Sequence, residues 1–97
     1  MNLISTRTIN QYAAQYPAAA QNLYVWVKVV KKAQWTCLND VKESYPSADL
    51  IGDDRLVFNI KGNHYRLIVK INYKFSLVWI RFIGTHAEYD KINAAKI

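Results

Sequence analysis

Three residues near the C-terminal end of the sequence have side chains suited to acid–base chemistry. His86, Tyr89 and Asp90 follow Gly84 within residues 85–91, whose composition indicates a single helical turn. Residues three or four positions apart on a helix share one side of it, so these three side chains should be neighbours. An imidazole exchanges protons near neutral pH, and a phenol can donate a proton or orient a neighbouring group. The turn therefore predicts a proton-transfer site, with a structurally incidental histidine as the alternative.

The residues before this turn alternate between apolar and polar types and predict an antiparallel meander. Its three strands cover residues 55–61, 65–72 and 77–83, with turns at Gly62-Asn63 and at residues 72–76. Successive side chains of a strand point to opposite faces of the sheet. One face is then apolar and should pack on helices, with Leu56, Phe58, Ile60, Leu67, Val69, Ile71, Val78, Ile80 and Phe82. The opposite face, here called the basic face, receives Arg55, Asn59, Lys61, Arg66, Lys70, Trp79 and Arg81.

The basic face has a composition that suits an RNA backbone. Cations give salt-sensitive affinity for phosphates, and an aromatic ring such as that of Trp79 can stack on a base. The alternatives are that the cations are merely solvated and that Trp79 packs under the C-terminal segment or under a partner. The turn that contains His86 should lie at the edge of this face.

The first half of the sequence has the periodicity of helices that could cover the apolar face. A short strand at residues 2–5 precedes a helix that Ser5 or Thr6 caps and Pro17 ends, with apolar positions at Ile9, Tyr12, Ala13 and Tyr16. Pro17 also suits the first turn of a second helix, which buries Leu23, Trp26, Val27 and Val30 and exposes Lys28, Lys31 and Lys32. Thr36 can cap a third, short helix with Leu38, Val41 and Tyr45, before a loop at residues 47–54. The sequence thus predicts an α+β fold, a mainly antiparallel sheet with an N-terminal helical hairpin on one face.

Length and composition limit the other possibilities. The chain has 97 residues, 13 basic and 7 acidic, with a formal charge of +6, so we expect one domain over residues 1–97 and an anionic partner. Cys37 is the only cysteine, and its spacing from His64 and His86 does not suit a metal site, so we expect neither a disulfide nor a metal or other cofactor. Residues 1–6 lack a secretory signal pattern, and no stretch approaches the roughly 18 apolar residues of a membrane span. A cytoplasmic protein without a membrane segment is therefore expected.

Three blocks of the sequence carry a resemblance to a known family. They read FNIKGNHYRL at residues 58–67, VKINY at 69–73 and RFIGTHAEYDKI at 81–92. These blocks resemble the HigB family of toxins in the RelE-like superfamily, and the resemblance extends over nearly the whole chain. It implies a RelE-like fold, which agrees with the predicted sheet and helical hairpin. His64 departs from the family pattern, which more often has Lys at this position.

The resemblance also implies a function. HigB-like toxins belong to type II toxin–antitoxin pairs and are endoribonucleases (mRNA interferases) that cleave mRNA, generally on the translating ribosome. A HigA-like helix-turn-helix antitoxin would inhibit the toxin, and their complex would bind operator DNA through the antitoxin. The implied reaction is metal-independent attack of the RNA 2′-OH on the adjacent phosphorus. His86 and Tyr89 would transfer or orient protons, Arg66 with Lys61 would stabilise the phosphorane, and RNA would be bound by Lys70, Arg81, Lys91, His64 and Asn59.

Two other classes of function remain open from the residues alone. One is a non-catalytic RNA- or ribosome-binding module that uses the same basic face, and the other is an interaction protein whose basic surface receives an acidic partner. The predicted pairing of His86 with Tyr89 beside Arg66 favours the enzyme, because binding alone needs no proton-transfer group.

Overall fold

The strands of the protein form one mixed sheet that the helices cover on one side. The computed structural model describes residues 1–62 and 64–97. In chain order the elements are β1 (Asn2–Ile4), α1 (Thr6–Gln15), α2 (Pro17–Lys32), α3 (Leu38–Ser44), β2 (Asp49–Leu50), β3 (Arg55–Ile60), β4 (Tyr65–Asn72), β5 (Leu77–Thr85) and α4 (His86–Tyr89). The sheet order is β1-β5-β4-β3-β2, in which β1 runs parallel to β5 and the other neighbours are antiparallel. The predicted α+β fold is confirmed.

Helices α1 and α2 bury most of the residues that the sequence predicts, whereas Tyr16 and Val27 are only partly buried. Pro17 occupies the start of α2, where a missing N–H costs no helical hydrogen bond. The buried residues are Ile9, Tyr12 and Ala13 of α1 and Ala19, Leu23, Trp26 and Val30 of α2. Ser5 is the N-cap residue of α1, as predicted, but it has a left-handed φ of 70° and makes no side-chain cap bond. Cys37 rather than Thr36 precedes α3, because the hydroxyl and the backbone N–H of Thr36 both donate to Asp40 Oδ2 instead.

The hydrophobic core lies between the helices and one face of the sheet, with Phe58 at its centre. The rings of Trp26 and Tyr45 meet Phe58 edge to face at centroid distances of 5.4 and 5.3 Å, and Trp35 stacks on it at 6.3 Å. Such aromatic pairs add roughly 0.5–1.5 kcal/mol each beyond the burial of their area. The strands contribute Leu56, Phe58, Ile60, Leu67, Val69, Ile71, Val78, Ile80 and Ile83 to this core. All of these except Ile83 are positions that the alternation predicts.

Strand β5 contains one residue more than β4 across from it. Two adjacent residues of β4 pair with Ile80 and Phe82, so Arg81 has no partner in the register. This insertion is a β-bulge, which interrupts the alternation of side chains between the two faces. Ile83 therefore joins the core, and Phe82 lies on the opposite face. The prediction that Phe82 belongs to the apolar face is wrong, because strict alternation does not allow for a one-residue insertion.

Two further expectations about the strands are also wrong. The last strand, predicted to end at residue 83, continues as β5 through Gly84 and Thr85, because both residues pair with β4. Within the loop expected at residues 47–54, Asp49–Leu50 forms the edge strand β2 on β3. A strand of two residues is too short to produce a periodic pattern in the sequence. The turn predicted at Gly62-Asn63 includes Asn63, which lies outside the described residues.

Gly84 occupies a position with no room for a side chain. A Cβ atom there would lie 2.5 Å from Phe82 Cζ and 3.2 Å from Glu88 Cβ. We expect Gly84→Ala to displace the Phe82 ring and to lower the free energy of unfolding in urea by roughly 1–3 kcal/mol. In a Phe82→Ala background most of this cost should vanish, because the ring is gone. An equal cost in both backgrounds would contradict the packing described here.

Candidate active site

Helix α4 is one turn long, and side-chain hydrogen bonds hold it in place. Thr85 Oγ1 accepts from the Glu88 N–H at 3.2 Å, and Glu88 Oε1 accepts from the Thr85 N–H at 2.8 Å, which together form a capping box. Tyr12 of α1 donates to the same Oε1 at 3.5 Å. An isolated helix of this length is unstable in water, so α4 depends on these contacts and on packing for its position.

The charge states of Glu88 and Tyr12 favour this arrangement. The hydrogen bond from the Thr85 backbone lowers the pKa of the Glu88 carboxyl below its ordinary value of 4.5, so the group is ionised at neutral pH. Burial, with the charge of Glu88 as the next largest cause, raises the pKa of the Tyr12 phenol, which therefore remains a proton donor. The bond between α1 and α4 thus has a charged acceptor at neutral pH.

The imidazole ring of His86 is oriented by Asp90. Nδ1 of His86 lies 3.1 Å from Asp90 Oδ2. An ionised carboxylate only accepts hydrogen bonds, so Nδ1 is the donor of this pair. Nε2 is then the ring nitrogen left for proton exchange with a ligand. The His86 side chain is 44% exposed, and a ligand can reach it.

Arg66 and Tyr89 lie beside this histidine. The guanidinium carbon of Arg66 is 5.0 Å from the centroid of the Tyr89 ring, within the range of a cation–π interaction. The centroids of the His86 and Tyr89 rings are 6.4 Å apart. In the sheet, Arg66 pairs with Gly84 on β5 and with Asn59 on β3. Arg66, His86 and Tyr89, here called the α4 cluster, bring together a cation, an imidazole and a phenol at one end of the sheet.

The turn between β3 and β4 lies at the same end of the sheet. The His86 N–H donates to the backbone oxygen of His64 at 3.2 Å. Lys61 is exposed and adopts the left-handed conformation with a φ of 53°, which costs a residue with a Cβ atom roughly 1–2 kcal/mol. The structure therefore places the backbone of His64 against α4, with Lys61 in the same turn.

Lys70 and Arg55 lie at the other end of the basic face. Four residues separate Lys70 from Arg66 along β4, a distance of about 13 Å in a strand. Lys70 Nζ is 3.7 Å from Asp54 Oδ2 and 5.8 Å from the centroid of the Trp79 ring. Arg55 Nη1 is 2.8 Å from Asp54 Oδ1. One carboxylate thus balances part of the charge of both cations.

The basic face is not continuous, which corrects the prediction made from alternation. Val57 and Ile68 lie between its two ends and are only 3% and 0% exposed. The C-terminal segment reaches this face, because Arg55 Nε donates to the backbone oxygen of Ile97 at 2.8 Å. A covered apolar centre therefore separates Arg66 from the far end.

The two remaining basic residues predicted to bind RNA lie at the surface. Arg81 is the exposed bulge residue of β5, and alternation does not determine the face of a bulge residue, so its assignment to the basic face stays a prediction. Lys91 is exposed directly after α4, where its N–H donates to the backbone oxygen of Glu88 at 3.2 Å.

The residues that hold α4 were not recognised from the sequence. The spacing of Thr85 and Glu88 is the signature of a capping box and could have revealed both of them. No local pattern connects Tyr12 with Glu88, which follows 76 residues later. Asp54, which the sequence predicts to lie in the loop at residues 47–54, pairs with two of the predicted basic residues.

Within residues 1–62 and 64–97, no group of three or more His, Cys, Asp or Glu side chains is arranged to hold a metal ion. No helix in this part of the chain combines the length and the apolar character that a membrane crossing requires. Cys37 is a free, exposed cysteine.

The low pKa of Glu88 predicts a pH-dependent contribution to stability. A carboxyl whose pKa is lower in the folded than in the unfolded chain favours folding while it is ionised. This contribution is complete above the ordinary value of 4.5 and disappears as the pH falls through the lowered folded-state pKa. We expect Glu88→Gln to lower the free energy of unfolding at neutral pH by less than about 1 kcal/mol, since the group is exposed.

Chemical denaturation from about pH 6 to about pH 3 measures this contribution. The difference between the native protein and Glu88→Gln should shrink as the pH falls. A difference that stays constant over this range would show that the carboxylate does not stabilise α4.

Comparison with known proteins agrees with the resemblance seen in the three sequence blocks. The profile of the HigB toxin family, described as the RelE-like toxic component of a toxin–antitoxin system, matches residues 19–92. The chain is 28% identical to the mRNA interferase HigB of Escherichia coli O6:H1 strain CFT073 over 95 residues, which are 96% of this chain and 92% of the relative. It is also 28% identical over 96 residues, 97% of this chain and 92% of each relative, to the mRNA interferase toxin HigB of Escherichia coli K12 and the mRNA interferase HigB of Shigella flexneri. The resemblance seen in the sequence blocks is confirmed, and the chain belongs to the HigB family of RelE-like toxins.

Proposed function

We propose that the chain is an endoribonuclease that cleaves mRNA as the toxin of a type II toxin–antitoxin pair. The observation that carries this proposal is that the His86 ring, which Asp90 orients, and the Arg66 guanidinium both lie beside the Tyr89 ring. Phosphodiester cleavage needs a proton-transfer group close to a fixed cation, whereas RNA binding alone needs only the cation. The toxin family and the names of the relatives, which are mRNA interferases, agree with this activity.

The proposed reaction is an intramolecular transesterification of RNA. The 2′-oxygen of the ribose attacks the adjacent phosphorus as its proton is removed. The bond from phosphorus to the 5′-oxygen then breaks, and this oxygen takes up a proton. The products are a 2′,3′-cyclic phosphate and a free 5′-OH. The protein supplies a base, an acid and a cation that stabilises the phosphorane.

The α4 cluster suggests which residue fills each role. With Nδ1 donating to Asp90, neutral His86 has its lone pair on Nε2, which accepts the 2′-OH proton. The carboxylate of Asp90 then stabilises the imidazolium that forms. The Tyr89 hydroxyl gives its proton to the leaving 5′-oxygen and is later reprotonated from His86 or solvent. Arg66, held over the Tyr89 ring, stabilises the charge on the phosphorane, with Lys61 as the second cation.

The other residues proposed to bind RNA fall into two groups, which differ in their distance from the α4 cluster. His64 and Asn59 lie next to the α4 cluster and Lys91 directly follows it, so they would hold the nucleotides around the cleaved bond. Lys70 and Arg81 lie farther from the cluster and would contribute only general attraction to the backbone.

The proposed partners follow from the proposed activity. The substrate is mRNA on the translating ribosome, and a HigA-like helix-turn-helix antitoxin inhibits the toxin and brings the complex to operator DNA. The formal charge of +6 suits both the RNA of the ribosome and an acidic segment of an antitoxin. The cytoplasm, where mRNA is translated, is the location that this activity requires.

Replacement of His86 tests the proposal. His86→Gln keeps hydrogen bonding but cannot exchange protons near neutral pH, so it should bind ribosomes and RNA normally. We expect cleavage to fall by roughly 10²- to 10⁴-fold. The measurement is the mapping of new RNA 5′ ends after induction in cells, with circular dichroism to show that the variant is folded. Cleavage by His86→Gln at nearly the native rate would refute proton transfer by His86. Absence of new 5′ ends with the native protein would favour a non-catalytic binding module.

Arg66 and Lys70 form a matched pair of basic residues on the same strand. Arg66→Ala should reduce cleavage at saturating ribosomes by roughly 100-fold or more, because a cation at the phosphorane is lost. Lys70→Ala should weaken binding by about 1 kcal/mol or less, because Lys70 shares the charge of Asp54 and lies far from the α4 cluster. Single-turnover cleavage and ribosome binding measured for both variants separate the two effects. Equal losses of turnover from both substitutions would contradict the distinction.

A further inference from the structure

A cleft of about 410 Å³ lies between α2 and the end of β3. The residues that matter for its chemistry are Gln21, Asn22, Trp26, Tyr45, Asn59 and Lys61. Strand β2 pairs only with Leu56 and Val57, so within the described residues no strand covers the outer edge of β3 at this end. The volume falls within the roughly 300–1,000 Å³ of small-ligand sites.

The cleft adjoins the α4 cluster. Asn59, in the wall of the cleft, pairs directly with Arg66 on β4, and neighbouring strands lie about 4.8 Å apart. Lys61, also in the wall, belongs to the turn that contacts the backbone of His86 through His64. An RNA chain with one phosphate at Arg66 would therefore bring an adjacent nucleotide to the cleft.

Two buried polar atoms in the residues of the cleft lack partners. The indole Nε1 of Trp26, whose side chain is 1% exposed, and the amide Oδ1 of Asn59 make no hydrogen bond with the described residues. Buried polar groups in native proteins are nearly always paired, so an unpaired donor and an unpaired acceptor beside one cleft mark a weak place in its wall. Both atoms are shielded from solvent, so a ligand pairs with them only when the wall of the cleft opens.

We propose that this cleft binds one unstacked nucleobase of the RNA, next to the phosphodiester that is cleaved. The proposal rests on the proposed function, because a base site has a role only beside a bound RNA. Base edges present both donors and acceptors, which the amides of Gln21 and Asn22 can match, and the half-buried ring of Tyr45 offers apolar surface to a planar base. Lys61 at the rim would hold the attached phosphate.

The composition of the cleft argues against an anion as its main occupant. Lys61 is the only charged residue among the described residues that line it. A phosphate site in proteins ordinarily combines several cations or a group of backbone N–H donors. The remaining wall is made of neutral amides, aromatic rings and two aliphatic side chains, which suits a neutral, planar, polar-edged ligand.

The first test measures base binding without any cleavage. The probes are the four ribonucleoside 5′-monophosphates, titrated into the native protein while NMR follows the indole N–H signal of Trp26. We expect at least one of them to shift this signal, with inorganic phosphate giving no comparable shift. Val25→Phe adds bulk to a lining residue of the cleft and should abolish the shift. Tyr24→Phe, at an adjacent exposed position outside the cleft, should leave it unchanged.

No shift with any nucleotide, or the same shift in Val25→Phe, would overturn the base site. A negative result of this kind leaves the proposed function untouched, because the titration does not depend on catalysis.

The second test asks whether the cleft determines where RNA is cut. Asn22→Ala should reduce the preference for one base beside the cut by roughly fivefold or more, as judged from the distribution of mapped 5′ ends. Tyr24→Phe serves again as the control with native preference. A native base preference in Asn22→Ala and Val25→Phe would overturn the proposal, whereas a native protein that produces no cuts would instead overturn the proposed function.

Discussion

The bulge at Arg81 is the feature on which the geometry of the site depends. It inserts one residue into β5, so the residues that follow change face relative to β4. Ile83 then packs in the core, and Gly84 faces the side of the sheet that carries Arg66. Without the bulge, α4 would leave the sheet from the opposite face. The proximity of Tyr89 to Arg66 is thus a consequence of one extra residue in a strand.

Hydrogen bonds are the second constraint, because they fix the position of α4 at the end of β5. The capping box of Thr85 and Glu88 closes the first turn, and the Tyr12 hydroxyl joins that turn to α1. Gly84 allows this close approach, because any side chain there would collide with Phe82. The imidazole and phenol therefore stand on a short helix that is held from two sides, as a preorganised site requires.

Much of the fold could be predicted from the sequence because it follows from local patterns. Alternation assigned the core face of β3 and β4, the helical period assigned the buried residues of α1 and α2, and spacing placed His86, Tyr89 and Asp90 together. What the sequence did not reveal depends on contacts between distant residues or on a break in a pattern. Because of the bulge, Phe82 and Ile83 lie on the faces opposite to those expected. Asp54, expected only as part of a loop, forms ion pairs with Arg55 and Lys70. The hydrogen bond from Arg55 to the backbone of Ile97 joins residues 42 positions apart, so no local pattern indicates it.

The central claim of this account is that the RNA 2′-OH is the nucleophile and that the α4 cluster activates it. The most direct measurement uses a message with a single 2′-deoxynucleotide at a mapped cut site, translated with the purified toxin and without added divalent metal beyond what the ribosome needs. The account predicts that this site is no longer cut, while the matched all-RNA message yields a 2′,3′-cyclic phosphate and a 5′-OH. Cutting of the deoxy-substituted site at the same rate, or products with a 5′-phosphate, would contradict it.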